Sequence, residues 1–269
     1  MAGMAFQLKE NYQVSDLVRI MSLLRDKDGC PWDLEQTHES IRKNLIEEAY
    51  EVVEAIDANN PEMLCEELGD LLLQVVFHSR ISEEAGDFSI DDVADGICKK
   101  LILRHPHIFG DIVVNNSKQV LENWDDIKKK EKGQTTISET LHSVPNVLPA
   151  LMRSQKVQKR AAKSGFDYPD AAAALSDLES EIAELKAAMA TQDSLSCYEE
   201  LGDVLFSAVN IARMLDIDAE ESLTASCNKF IKRFDAVELL AERENVDLRH
   251  APLDRLNKLW CDVKNAQSR

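Results

Sequence analysis

Two stretches of this chain repeat acidic residues at spacings that suit chemistry. Glu66 to Leu72 reads EELGDLL and Glu199 to Leu205 reads EELGDVL, with six of seven positions identical. A second acidic pair precedes each stretch: Glu48 and Glu51 in NLIEEAYEVVE, then Glu181 and Glu184 in DLESEIAELKA. Glu48, Glu51, Glu67 and Asp70 correspond to Glu181, Glu184, Glu200 and Asp203 at a single offset of 133. Residues three apart on a helix point the same way, so each pair projects from one helical face. If two such faces meet, four carboxylates converge. Two like charges about 4 Å apart repel by roughly 4 kcal/mol at an effective dielectric near 20. Such a cluster needs a cation, and hard oxygen donors suit Mg²⁺ or, as the alternative, Mn²⁺.

A lone ExxE on a solvated helix is ordinary, and recurrence is what separates these positions from that reading. Glu47 is matched by Ser180 and Glu54 by Ala187, whereas the four carboxylates and the Glu66/Glu199 pair are kept. Gly69 and Gly202 each cost about 1 kcal/mol inside a helix. They are expected to admit a neighbouring backbone or ligand beside the aspartate, or to serve helix packing. Di-iron chemistry would add ExxH motifs. Glu35/His38 and Glu139/His142 have that spacing, but neither recurs in the second copy.

Basic and aromatic residues repeat as well. CKKLILR (98–104) matches CNKFIKR (227–233), which pairs Lys100 and Arg104 with Lys229 and Arg233. An i,i+4 lysine and arginine can present a point charge and a planar fork to a polyphosphate, or make surface ion pairs. ENWDDIKKK and NKLWCDVKN bring Trp124 against Trp260. Either tryptophan can stack on a base or simply pack. His105 and His107 have no counterparts and read as turn residues beside Pro106.

Four matches in one order make an internal duplication. Scarce glycine (9) and proline (7), with apolar residues at three- and four-residue intervals, predict an all-α fold of two tandem helical bundles. Helices are expected near 13–26, 38–58, 61–85, 89–104 and 117–131, then 147–163, 170–190, 194–215, 219–244 and 253–266. Leu64, Leu68, Leu71, Leu72, Val75 and Val76 form the apolar stripe of the third. Asn59-Asn60-Pro61 turns the chain tightly, so that the second and third helices run antiparallel. KGQTTISETLHSVPNVLP lacks a helical stripe and reads as a linker. The expected domains are 1–132 and 150–269, joined by 133–149.

A net charge of −18 argues against binding a nucleic-acid polymer, but not against a small phosphate compound carried with a cation. Six scattered cysteines without CxxC suggest buried, reduced thiols. Neither a signal-peptide pattern nor an apolar run near the ~20 residues of a membrane span occurs, so the chain is expected to be cytoplasmic.

GCPWD (29–33), LIEEAYEVVEAI, EELGDLLLQVVFHS, RHPHIF and the later EELGDVLFSAVNIAR together resemble the bacterial MazG nucleoside triphosphate pyrophosphohydrolases, from about Leu17 to Lys264. The resemblance implies an all-α dimer. It also implies Mg²⁺-dependent cleavage of nucleoside triphosphates, ribo or deoxy, to monophosphate and pyrophosphate. By its motifs Glu181, Glu184, Glu200 and Asp203 hold metal, while Lys229, Arg233 and Trp260 meet the nucleotide. Glu199 is grouped with these, and Lys100, Arg104 and Trp124 are their first-copy counterparts. Ser180 stands where the family has the first glutamate of EExxE, and Asp177 and Ser196 stand where relatives carry lysine. In the implied reaction a water, activated by the metal or by one of Glu181, Glu184 and Glu200, attacks the α-phosphorus. The resemblance also points to the second copy as the principal catalyst. A non-catalytic nucleotide- or metal-sensing module is the competing expectation.

Overall fold

The computed structural model describes residues 6–131 and 133–267. Residues 1–5, 132, 268 and 269, at the ends of the expected domains, lie outside it. Every regular element among the described residues is helical, and the chain divides into two units at Lys128/Lys129.

In the first unit, α1 (Val14–Leu24), α3 (Arg42–Asp57), α4 (Pro61–Ala85), α5 (Ile90–Arg104) and α7 (Ser117–Glu131), whose last turn crosses the division, fall where periodicity predicts them. Two short helices join them, α2 (Pro31–Glu35) and α6 (Pro106–Phe109). RHPHIF is therefore partly helical, because Pro106 starts a turn at the first helical position.

The α3–α4 hairpin is set by three residues. Asn59 takes a left-handed conformation (φ 49°), Asn60 accepts from the amides of Glu62 and Met63 at 3.1 and 3.2 Å, and Pro61 opens α4. Such a cap satisfies amides that a helix start leaves unpaired. α4 packs on α1, α3 and α5. Met21, Ile41, Val76 and Phe77 form the core. Arg25, buried beneath α1, ties that helix to α4 through Glu84, with Nη2–Oε2 2.8 Å.

The second unit repeats the hairpin with α10 (Ala171–Thr191) and α11 (Ser194–Met214). Gln192 (φ 58°) turns the chain and Asp193 caps α11. α9 (Ala150–Ala162) packs on α11 and α12 (Ala219–Arg243), and α13 (Leu253–Gln267) packs on α12. Val237, Ala241, Leu259 and Val263 make this core.

Several expectations change. The stretch read as linker contains α8 (Ile137–His142), capped by Thr136 and Glu139 and packed on α9; the capping box supplies order that apolar periodicity does not signal. The α4 stripe is not wholly buried, since Leu68 and Val75 are exposed. The cysteines carry no disulfide, but they are not buried either: Cys65, Cys98, Cys227 and Cys261 are exposed and Cys30 and Cys197 half-buried. The exposed four lie on α4, α5, α12 and α13. A Cβ added to Gly69 or Gly202 would meet nothing within 4 Å, so neither glycine serves packing within the chain.

Candidate metal and nucleotide site

Each hairpin brings its carboxylates together. In the first, oxygens of Glu48 on α3 and of Glu67 and Asp70 on α4 lie within 4.8 Å of one another. Glu51 stands beside Glu48, close enough to act on its carboxyl. In the second, Glu181 and Glu184 on α10 and Glu200 on α11 meet within the same 4.8 Å. Asp203 lies outside that trio but close enough to act on Glu181 by charge.

The electrostatics follow from this crowding. Burial first, then the charge of Asp70 and the contact with Glu51, pushes the Glu48 carboxyl above its usual value. Burial and then the charges of Glu51, Glu66 and Asp70 raise Glu67. Burial and then Glu184, Asp203, Asp177 and Glu200 raise Glu181. Burial and then the like charges that face these groups oppose their ionisation, and a bound cation would relieve the repulsion. The donors are all carboxylate oxygens, as Mg²⁺ and Mn²⁺ prefer, so the residues fit a hard divalent ion.

Around these clusters are partners that spacing alone does not reveal. Gln74, buried one turn beyond Asp70, donates from Nε2 to Glu48 Oε1 at 3.5 Å, while its own carbonyl oxygen is buried without a partner. The matching Ser207 donates to Asp177 Oδ2 at 3.0 Å. Continuing the 133 offset one turn past each aspartate would have found both. Ser180, in place of a glutamate, donates to Glu184 Oε1 at 3.3 Å. Tyr168 sits over this end of α10. Burial, a hydrogen bond to Asp177 and the charges of Asp177 and Glu181 push its phenol up to about 12. Its backbone is steadied by Asp167, which Arg213 grips from α11.

The other predicted residues are distributed as follows. Glu199 is exposed and outside the carboxylate trio. Lys229 lines a shallow groove on α12 with Ala225, Asn228 and Lys232, and Arg233 lies one turn on. Trp260 on α13 packs against Phe230 with ring centroids 5.1 Å apart, and Phe230 stacks on Phe234 at 6.2 Å. These aromatics, with Leu248 and Leu256, wall a cavity of about 240 Å³. The first copy differs. Leu101 and His105 hold the places of Phe230 and Phe234, and Trp124 carries Arg104 at 5.2 Å and Lys128 at 4.8 Å over its ring. Lys100 is exposed on α5.

A tandem all-α chain with a carboxylate cluster in each hairpin defines a class that comparison makes specific. The family model for the MazG nucleotide pyrophosphohydrolase domain matches twice, over residues 36–109 and 170–237. A Thermotoga maritima protein named nucleoside triphosphate pyrophosphohydrolase/pyrophosphatase MazG is 44% identical, across 93% of this chain and 94% of its own. The nucleoside triphosphate pyrophosphohydrolase of Escherichia coli K12 is 40% identical, across 95% and 98%. An uncharacterised Bacillus subtilis protein, YabN, is 43% identical over 96% of this chain but only 53% of its own. The chain belongs to the MazG nucleotide pyrophosphohydrolase family.

Proposed function

We propose that the protein hydrolyses nucleoside triphosphates, ribo or deoxy, to nucleoside monophosphate and pyrophosphate. The observation that carries this is the convergence of Glu181, Glu184 and Glu200 across the α10–α11 hairpin of a MazG-family chain. Relatives bearing that activity in their names match along nearly their whole length.

The mechanism uses residues of the second unit. Glu181, Glu184, Glu200 and Asp203 would hold Mg²⁺. When bound, the ion neutralises charge on the phosphate oxygens and polarises the reacting phosphoryl group. Lys229 and Arg233, one turn apart, receive the β- and γ-phosphates and stabilise the departing pyrophosphate. Trp260 stacks on the base. One of Glu181, Glu184 or Glu200 accepts the proton of the water that attacks the α-phosphorus in line with the leaving group. In the first unit Glu48, Glu51, Glu67 and Asp70 provide an equivalent cation cage. Its tryptophan already carries Arg104 and Lys128 over its ring, and Lys100 and Arg104 would serve a phosphate tail.

Homodimerisation belongs to the same proposal. Leu201 and Leu205 on α11 and Leu223 on α12 are exposed in the second unit, as are Ile46, Tyr50 and Val53 on α3 in the first. Such apolar stripes are what an interface between copies would cover. A cytoplasmic location, with no nucleic-acid polymer or membrane as partner, suits the charge of −18 and the lack of any described helix long and apolar enough to span a bilayer.

Incubation with ATP, dATP, GTP and UTP plus Mg²⁺ should give monophosphate and pyrophosphate. Diphosphate and orthophosphate would reject the assigned bond.

A further inference from the structure

The cavity between α12 and α13 has a composition that the phosphate chemistry does not explain. At about 240 Å³ it is smaller than the roughly 300–1,000 Å³ pockets that take drug-sized ligands, so it suits one flat ring system, with any charged tail outside. Lys229 precedes Phe230 and Arg233 precedes Phe234 on α12. Successive helical residues lie about 100° apart, so a cationic row runs beside the aromatic row. A ligand with an apolar ring and an anionic tail matches that pairing. Stacking alone accepts every base, because every base has a π-face. Discrimination needs a polar group, and among the lining side chains only Asn257 and the Trp260 indole can hydrogen-bond. Asn257 lies one turn before Trp260 on α13, on the same face.

We propose that Asn257 sets the base preference of the second unit by hydrogen-bonding the edge of the base stacked on Trp260. This rests on the pyrophosphohydrolase reading and deepens it. The amide offers a donor and an acceptor side by side. It thereby meets the amino group and ring nitrogen of adenine, as asparagine does in nucleic-acid readout. Asn257→Asp leaves acceptors only. It turns away the adenine ring nitrogen and favours guanine, whose ring N–H and amino group are adjacent donors.

The test is kcat/KM for ATP, GTP, CTP and UTP, read as pyrophosphate release by the full-length chain. Asn257→Asp is expected to raise the GTP/ATP ratio about tenfold, the size of one mispaired hydrogen bond. Asn257→Leu is expected to compress the spread among the four bases, and it carries the test should the aspartate variant not fold. A ratio within twofold of the unsubstituted protein in the folded aspartate variant overturns the assignment, as does an unchanged spread in the leucine variant. Failure of the unsubstituted protein to release pyrophosphate from any base overturns the activity itself, a distinct result.

Discussion

The guanidinium of Arg25 stands 2.8 Å from Glu84 Oε2 and 5.3 Å from the Phe77 ring centroid, so a buried cation links α1, α4 and the core of the first unit. Burial opposes ionisation of Glu84, but Arg25 and Arg80 outweigh it and hold its carboxyl below the usual 4.5. Glu84→Gln leaves Arg25 without its counter-charge. Removing one partner of a fully buried pair costs about 3–5 kcal/mol. Glu84 keeps some solvent, and Arg25 still donates to the carbonyls of Asp33 and Gln36, so a loss near 2–3 kcal/mol is expected by urea denaturation. The pH sign follows from linkage: a depressed carboxyl adds stability above its unfolded value, lost as pH falls through the folded one. The gap between parent and variant should therefore close below pH 4.5.

A second acid-sensitive element acts at higher pH. His38 and His78 approach Nδ1 to Nδ1 at 2.7 Å, with His38 Nε2 3.2 Å from Ser82 Oγ. At that separation one ring must donate and the other accept, so a second proton would set two N–H groups against each other. Burial and then His38 hold His78 below its usual 6.5. Its contribution is present above 6.5 and lost as pH falls through the depressed value. His78→Gln should flatten the pH dependence of unfolding free energy below 6.5; equal slopes in parent and variant would refute this.

In the proposed cation cage Gln74 would orient Glu48 rather than bind the ion directly. Partners of this kind typically account for 10–100-fold in metal affinity. Gln74→Leu should weaken Mn²⁺ binding to the first unit by about that factor in calorimetry. Stability should hardly change, because the same substitution removes an unpartnered buried oxygen. Affinity equal to the parent's would mean Glu48 needs no such support.

Gly202→Ala should stabilise the protein by up to about 1 kcal/mol, since a helical glycine is replaced where a methyl group meets open space. Thermal melting of the isolated substitution measures it. A lower midpoint would reveal something outside one chain seated on that face.

Much of this architecture was legible because helix formation is local. The Asn60-Pro61 start and the 3.6-residue pattern give α4 the same bounds in sequence and structure, Pro61–Ala85. The acidic trios were readable from spacing because an antiparallel hairpin turns a fixed offset into proximity. What escaped depends on contacts between distant segments. Tyr168 reaches Asp177 only after the loop before α10 folds back, and Phe230 meets Trp260 only when α12 and α13 pack. Burial of Leu68 or Cys98 was over-read because a periodic stripe tells which side is apolar, not whether one chain supplies its cover.

The exposed thiols have a practical consequence. Cys98 on α5 and Cys227 on α12 hold matching places in the two copies, next to the apolar residues Ile97 and Leu223 and exposed to solvent within one chain. Each half of the duplicated molecule thus carries its own native reporter. A maleimide would tag these two, together with Cys65 and Cys261, quickly on a lone protomer, and whichever thiol slows on self-association would mark the face that the proposed second copy covers, with no engineered label required.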